Sequence, residues 1–196
     1  YSVGQALKIY KLTNESEIWK RLILNEDYND VFFLNENKGF LISSYFTSGL
    51  YKTEDGGISY TKIDGAPNGN DLLFLDSLVG FIGSNTIYKT TDGGNNWYAV
   101  NGVPGGVGKI FFVNFQVGWA VGGGNIYKTT DGGENWALNF NAPGSISFTN
   151  IHFVDTLYGW TANINGRPFK TTGGGLNWIQ QTNLDSWRSL GGFFKD

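Results

Sequence analysis

The sequence predicts an all-β fold, a five-bladed β-propeller of four-stranded antiparallel blades. Three observations lead there. The segment YKTTDGGENW from Tyr127 recurs as YKTTDGGNNW from Tyr88, YKTEDGGISY from Tyr51, FKTTGGGLNW from Phe169 and, eroded, YKLTNESEIW from Tyr10. The starts lie about 40 residues apart, the period of propeller blades and solenoid repeats. Aromatics form 16% of the 196 residues and Gly numbers 29, as many short strands joined by tight turns require.

Each repeat divides into four strands, A to D. Strand A is an apolar run ending in Asn or Asp: VFFLN to Asn35, LLFLD to Asp76, IFFVN to Asn114 and IHFVD to Asp155. These runs are continuous, not alternating, so both faces are expected to be buried. Strand B begins at the Gly-aromatic pair that follows a short turn. Strand C is Tyr-Lys-Thr, an alternation of types that suit a pleated, packed surface. Asp92-Gly93-Gly94 then calls for a tight turn, in which the carboxylate accepts nearby N–H groups and Gly supplies the unusual φ. Trp97 and its equivalents start strand D as apolar plates.

The turn series Asn35, Asp76, Asn114 and Asp155 next reaches Asp196, so Leu190–Asp196 reads as a lone strand A. Tyr1 onward matches strands B and C of another blade. Residues 190–196 and 1–24 together make one split blade, which closes the ring and leaves no exposed sheet edge. The intact blades span about 31–65, 72–101, 110–141 and 151–182 of a single domain.

The motif carries a resemblance. Thr90-x-Asp92-Gly93-Gly94-x-x-Trp97 and Thr129-x-Asp131-Gly132-Gly133-x-x-Trp136 resemble the Asp-box, or bacterial neuraminidase repeat, of β-propellers. Thr53-x-Asp55-Gly56-Gly57-x-x-Tyr60 fits with Tyr for Trp. Thr171-x-Gly173-Gly174-Gly175-x-x-Trp178 lacks the Asp, and Leu12 to Trp19 keeps only the aromatic. The longer pattern IFFVNFQVGWAVGGGNIYKTTDGGENW is similar to blades of the photosystem II stability and assembly factor family. That likeness implies a chaperone-like protein partner. Asp-boxes also occur in sialidases, xyloglucanases and sortilin-type receptors, so the repeat speaks to fold more than to function.

Composition narrows the function. A net charge of −3 disfavours bulk attraction to nucleic acid, and no apolar run reaches the ~20 residues of a bilayer-spanning helix. The chain has no Cys and one His, which excludes disulfides and disfavours a zinc site. No cofactor or metal is expected. With no Met and Tyr1 first, a removed leader and an exported protein are expected. Asn14-Glu15-Ser16 is a formal glycosylation sequon.

Catalysis requires convergent titratable groups. Clasp and turn roles account for Asp55, Asp92, Asp131, Asp76, Asp155 and Asp196, leaving mostly loop acids: Glu26, Asp27, Asp30, Asp64, Asp71 and Asp185. A glycosidase would need two of these about 5–10 Å apart across a cleft, and no spacing requires that. The sialidase resemblance would imply a trio of arginines in a six-bladed ring, whereas this chain has Arg21, Arg167 and Arg188 in five blades. No catalytic residue is assigned. His152 reads as a core histidine in the strand A column. The strand C lysines, Lys11, Lys52, Lys89, Lys128 and Lys170, read as stems laid over aromatics; a ring of lysines for a polyanion is the alternative.

The expected role is a non-catalytic binding or scaffold module, monomeric unless part of a larger assembly, recognising a protein or a glycan. The alternative is a carbohydrate-active hydrolase using paired loop carboxylates. The A–B and C–D turns share one side and are occupied by structure, so binding is expected on the B–C and D–A loops opposite. The bulky groups there are Tyr28, Tyr45, Phe46, Asn165, Arg167, Trp187 and Arg188. Trp187 is the one Trp that no repeat position explains; it reads either as an energetic anchor beside Arg188 or as a plug at the seam beside the split blade.

Overall fold

The computed structural model describes residues 2–3, 9–12, 19–22, 28–43, 49–144 and 146–182. Its strands form five antiparallel sheets, with no α-helix among the described residues. A three-stranded sheet holds β1 (Ser2–Val3), β2 (Ile9–Leu12) and β3 (Trp19–Leu22). The second holds β4 (Asp30–Phe33), β5 (Gly39–Ile42), β6 (Leu50–Thr53) and β7 (Thr61–Lys62). The third holds β8 (Asp71–Phe74), β9 (Gly80–Gly83), β10 (Ile87–Thr90) and β11 (Tyr98–Ala99). The fourth holds β12 (Lys109–Phe112), β13 (Gly118–Gly122), β14 (Asn125–Thr129) and β15 (Ala137–Asn141). The fifth holds β16 (Phe148–Phe153), β17 (Gly159–Asn163), β18 (Pro168–Thr171) and β19 (Ile179–Gln180). Strands neighbour one another in chain order, the up-and-down pattern expected of each repeat.

Two expectations need correction. Strand A is not buried on both faces in every sheet: β4 is partly exposed throughout and β12 at three of four residues, though β8 is buried at three of four, while strand B is buried along all of β5 and β9. The reason is position. Strand A has one ladder partner and forms a sheet edge, whereas strand B is flanked by A and C. Strand D begins one residue after the motif aromatic and exposes both residues of β7, β11 and β19.

The Gly of strand B has a role that its sequence context does not reveal. It pairs across the ladder with the last Phe of strand A, as Phe33 with Gly39, Phe74 with Gly80, Phe112 with Gly118 and Phe153 with Gly159. A Cβ on these glycines would lie 2.6, 2.7, 2.8 and 2.5 Å from that Phe ring. The ring lies flat over bare backbone, and any side chain there would displace it.

The chain divides into two compact units, residues 1–84 with 90–98 and residues 85–89 with 99–196. In the first, Phe74 stacks on Phe40 (4.7 Å, 17°) and meets Trp97 edge-on (6.0 Å, 80°). Asp30 Oδ2 accepts the Leu72 N–H (2.9 Å), tying β4 to β8. In the second, Phe153 stacks on Trp119 (3.5 Å, 7°) and meets Trp178 edge-on (5.8 Å, 82°). The same arrangement therefore joins adjacent sheets in each unit: a strand A Phe between the preceding sheet's strand B aromatic and its own sheet's Trp. His152 fills a partly buried strand A position, 4.8 Å from the Phe111 ring.

Candidate functional site

The two ends of each four-stranded sheet are built differently, and the end with the C–D tips is the more elaborate. At Thr129–Trp136 the centre is a hydroxyl. Thr129 Oγ1 accepts the Gly133 N–H (3.0 Å) and donates to Asp131 Oδ1 (2.8 Å). Asp131 in turn accepts the Asn135 N–H (3.1 Å) and its side-chain amide (2.9 Å). Gly132 and Gly133 take φ of 73° and 80°, open to glycine without strain. The Trp136 indole closes the loop by donating to Gly133 O (3.2 Å). Thr90 and Thr53 organise their tips in the same way, with Asn96 and Ser59 in the role of Asn135. Where Gly173 replaces the acid, Thr171 Oγ1 still accepts the Gly175 N–H (3.0 Å). These hydrogen bonds hold the carboxyls of Asp55, Asp92 and Asp131 down to about 2.

Each A–B turn is built by one side chain. Asn35, Asp76, Asn114 and Asp155 accept the N–H groups two and three residues ahead, at 2.7–2.9 Å. The adjacent C–D tip then docks on that turn. Gly56, Gly93, Gly132 and Gly174 donate to the carbonyls of Asn37, Leu78, Gln116 and Leu157. A–B turns and C–D tips thus share one end of each four-stranded sheet.

Two of the strand C lysines, Lys89 and Lys128, reach the tip of the next sheet. Lys89, buried to 5% exposure, donates to Gly132 O (2.8 Å) and pairs with Glu134 (2.6 Å). Lys128 lies 4.9 Å over the Trp119 ring and reaches Gly174 O (3.4 Å), which also accepts from Trp119 and Asn139. Burial pushes the Lys128 ammonium down. Lys52 pairs with Glu54 (2.6 Å), and Lys170 lies 5.4 Å over Trp160. Lys128 and Lys170 thus lie over aromatic rings as expected, whereas Lys89 and Lys52 are held by carbonyl and carboxylate oxygens.

The expected binding residues separate at this level. Tyr28 is a correction: it is 4% exposed, packs with Leu41 and meets Tyr51 edge-on (5.7 Å, 83°), so its ring is core. An aromatic beside the start of strand A is captured by the sheet's apolar face. Asn165 and Arg167 are exposed on the β17–β18 turn. Buried Asn163 shapes that turn by accepting the N–H groups of Asn165 (3.1 Å) and Arg167 (2.9 Å). Tyr45, Phe46, Trp187 and Arg188 lie outside the described residues, as do the loop acids Glu26, Asp27 and Asp185. Two other supposed loop acids are strand residues: Asp30 opens β4, and Asp71 opens β8 at 2% exposure.

No family model matches the chain, and no curated protein matches it. Solved structures do. The Niastella koreensis GH74 enzyme matches with a TM-score of 0.67 and 20% identity over 87% of this chain and 33% of that one. YCF48 bound to D1 peptide matches with a TM-score of 0.63 and 21% identity over 90% of this chain and 62% of that one. The extracellular domain of the putative hybrid two component system BT3049 from B. thetaiotaomicron matches with a TM-score of 0.63 and 12% identity, over 90% and 24% of the two chains. The chain has a β-propeller fold. It resembles that of YCF48, and it spans about a third of the GH74 chain and under two thirds of the YCF48 chain.

The turn-and-tip ends of the second unit's sheets also carry apolar groups that the sequence pattern did not single out. In the second unit Phe115 (55% exposed) and Leu157 (52%) project from A–B turns, and Leu176 (65%) projects from a C–D tip. Backbone atoms, Thr hydroxyls and carboxylates build this end, so its variable positions are free to present apolar side chains. For Leu176 the signal was the x-x pair of each motif, which reads Glu-Asn at one tip and Leu-Asn at another.

Proposed function

We propose that this chain is a non-catalytic binding module that recognises a segment of a protein partner, with a glycan as the second ligand class. The observation that carries the reading is the engagement of most of the described carboxylates, the exposed Glu36 and Asp64 standing apart. Asp55, Asp92 and Asp131 are bonded within their own tips, and Asp76 and Asp155 within their own turns. Asp30 accepts two backbone N–H groups, and Glu54 and Glu134 pair with lysines. Carboxylates so engaged are poorly placed to serve as the acid and nucleophile of a glycosidase. The likeness to YCF48 bound to D1 peptide supports a peptide ligand, while the likeness to GH74 enzymes keeps carbohydrate chemistry as the rival.

Binding is assigned to the B–C and D–A loop end, through Asn165 and Arg167 with Trp187 and Arg188. The finer fold reading belongs with it: Asp-box tips, and five blades closed by residues 190–196 joined to 1–24. An exported protein is favoured by the company of an extracellular domain and of PorZ, a bacterial surface component.

A peptide-display selection, run beside a reducing-sugar assay on xyloglucan oligosaccharides, tests the function. Saturable peptide binding without sugar release is expected, weakened by Arg167→Ala and Arg188→Ala but not by Phe115→Ser or Leu157→Ser. Sugar release above background would overturn the non-catalytic reading. Loss of binding only in the Phe115 and Leu157 variants would move the site to the other end.

A further inference from the structure

We propose that Asn101 is a site of spontaneous deamidation, set apart from the chain's other Asn-Gly pairs by the state of the glycine nitrogen. Three such pairs occur: Asn68-Gly69, Asn101-Gly102 and Asn165-Gly166. Glycine after asparagine leaves the amide nitrogen unshielded by any Cβ, so each pair has the local chemistry for ring closure. The fold then treats them differently. Gly69 is buried and its N–H donates to Ser43 O (3.1 Å). Gly166 is buried and its N–H donates to Asn163 O (2.8 Å), inside the turn that Asn163 builds. Gly102 is exposed, and among the described residues its N–H has no acceptor. An N–H held in a buried hydrogen bond resists deprotonation and cannot leave its acceptor without cost, whereas one facing water is open to base.

The reaction needs only water and base. The Gly102 amide nitrogen, having given its proton to hydroxide, bonds to Asn101 Cγ. The Cγ–Nδ2 bond breaks, and the nitrogen takes up a proton and leaves as ammonia. Water opens the resulting succinimide at either carbonyl, giving aspartate or isoaspartate. Both products carry one more negative charge and about one dalton more mass. Asn101 is exposed, as the hydrolysis requires.

The position gives the modification a structural consequence. The Asn101 carbonyl accepts the Trp136 N–H (3.1 Å), and Asn101 and Asn135 form a parallel bridge. Asn135 and Trp136 belong to the tip organised by Thr129, so the altered backbone is hydrogen-bonded to that clasp. Isoaspartate inserts a carbon into the main chain at this bridge and displaces the carbonyl from Trp136. The change is slow, irreversible and local, and it marks the age of the molecule at one isolated bridge between two connecting segments.

The test uses the intact protein, aged at mildly alkaline pH and body temperature in heavy-oxygen water. Fragmentation mass spectrometry then follows label uptake separately at Asn68, Asn101 and Asn165. Asn101 is expected to react about tenfold faster than either of the others while the protein is folded, as the loss of one protecting hydrogen bond implies. In concentrated urea the three rates should converge. The proposal fails if Asn68 or Asn165 matches Asn101 in the folded protein. It fails equally if the lead of Asn101 persists in urea, since local sequence and not the fold would then set the order.

Discussion

Thr129 is 1% exposed and bonded to three groups of its own tip, whereas Asp131 is solvent-facing and absent from the fourth motif without loss of the turn. The hydroxyl is therefore the structural centre and the carboxylate a reinforcement. Thr129→Val should cost about 1–3 kcal/mol, because the buried Gly133 N–H loses its acceptor. Asp131→Ala should cost less, since water replaces its partners. Chemical denaturation of the two variants checks the order, and a costlier Asp131→Ala would reverse the assignment. The carboxyls of Asp55, Asp92 and Asp131 titrate at about 2 in the folded chain against 3.8 ordinarily. A depressed folded value means that their contribution is complete above about 4 and is lost as pH falls toward 2. The melting temperature should drop through that window, and the drop should shrink in Asp92→Asn. Solvent screening keeps each contribution small.

The repeated unit of packing is the pair formed by strand A's Phe and strand B's Gly. Gly159 has no left-handed φ, so Ala there is excluded by volume and not by backbone conformation. Gly159→Ala should destabilise by about 1–3 kcal/mol through overpacking of Phe153. Phe153→Leu alone loses the Trp119 stack and the Trp178 contact. In the double variant the two losses should be less than additive, because the smaller side chain vacates the space that the new methyl needs. Additive losses in a double-mutant cycle would mean that the ring does not set the glycine. Burial of strand B over strand A follows from the same architecture, because the ladder protects an inner strand on both edges.

The proposal of a closed ring makes its own prediction at the scale of the whole molecule. Removing residues 190–196 would leave the three strands β1 to β3 without a strand A, and exposed sheet edges invite aggregation. Size-exclusion chromatography and thermal melts of the truncated chain should show aggregates or a lost transition; an unchanged monomer would favour an open array. Much of this architecture was legible in the sequence. Local chemistry determines a turn, and Asp-Gly-Gly, Asn35 and its equivalents, and the Tyr-Lys-Thr alternation all act within a few residues of themselves. Their order along the chain also determines the strand order of each blade, because short loops leave only antiparallel neighbours. Burial, in contrast, is a property of what arrives from elsewhere in the chain. Only the tertiary structure decided that Tyr28 is core, that Asp71 is shielded, that Lys89 staples a distant tip, and that Gly102, alone of the three Asn-Gly glycines, is exposed with no acceptor for its N–H among the described residues. Sequence periodicity records which residues repeat, but the dielectric and the contacts around a side chain are set by neighbours that no local pattern names.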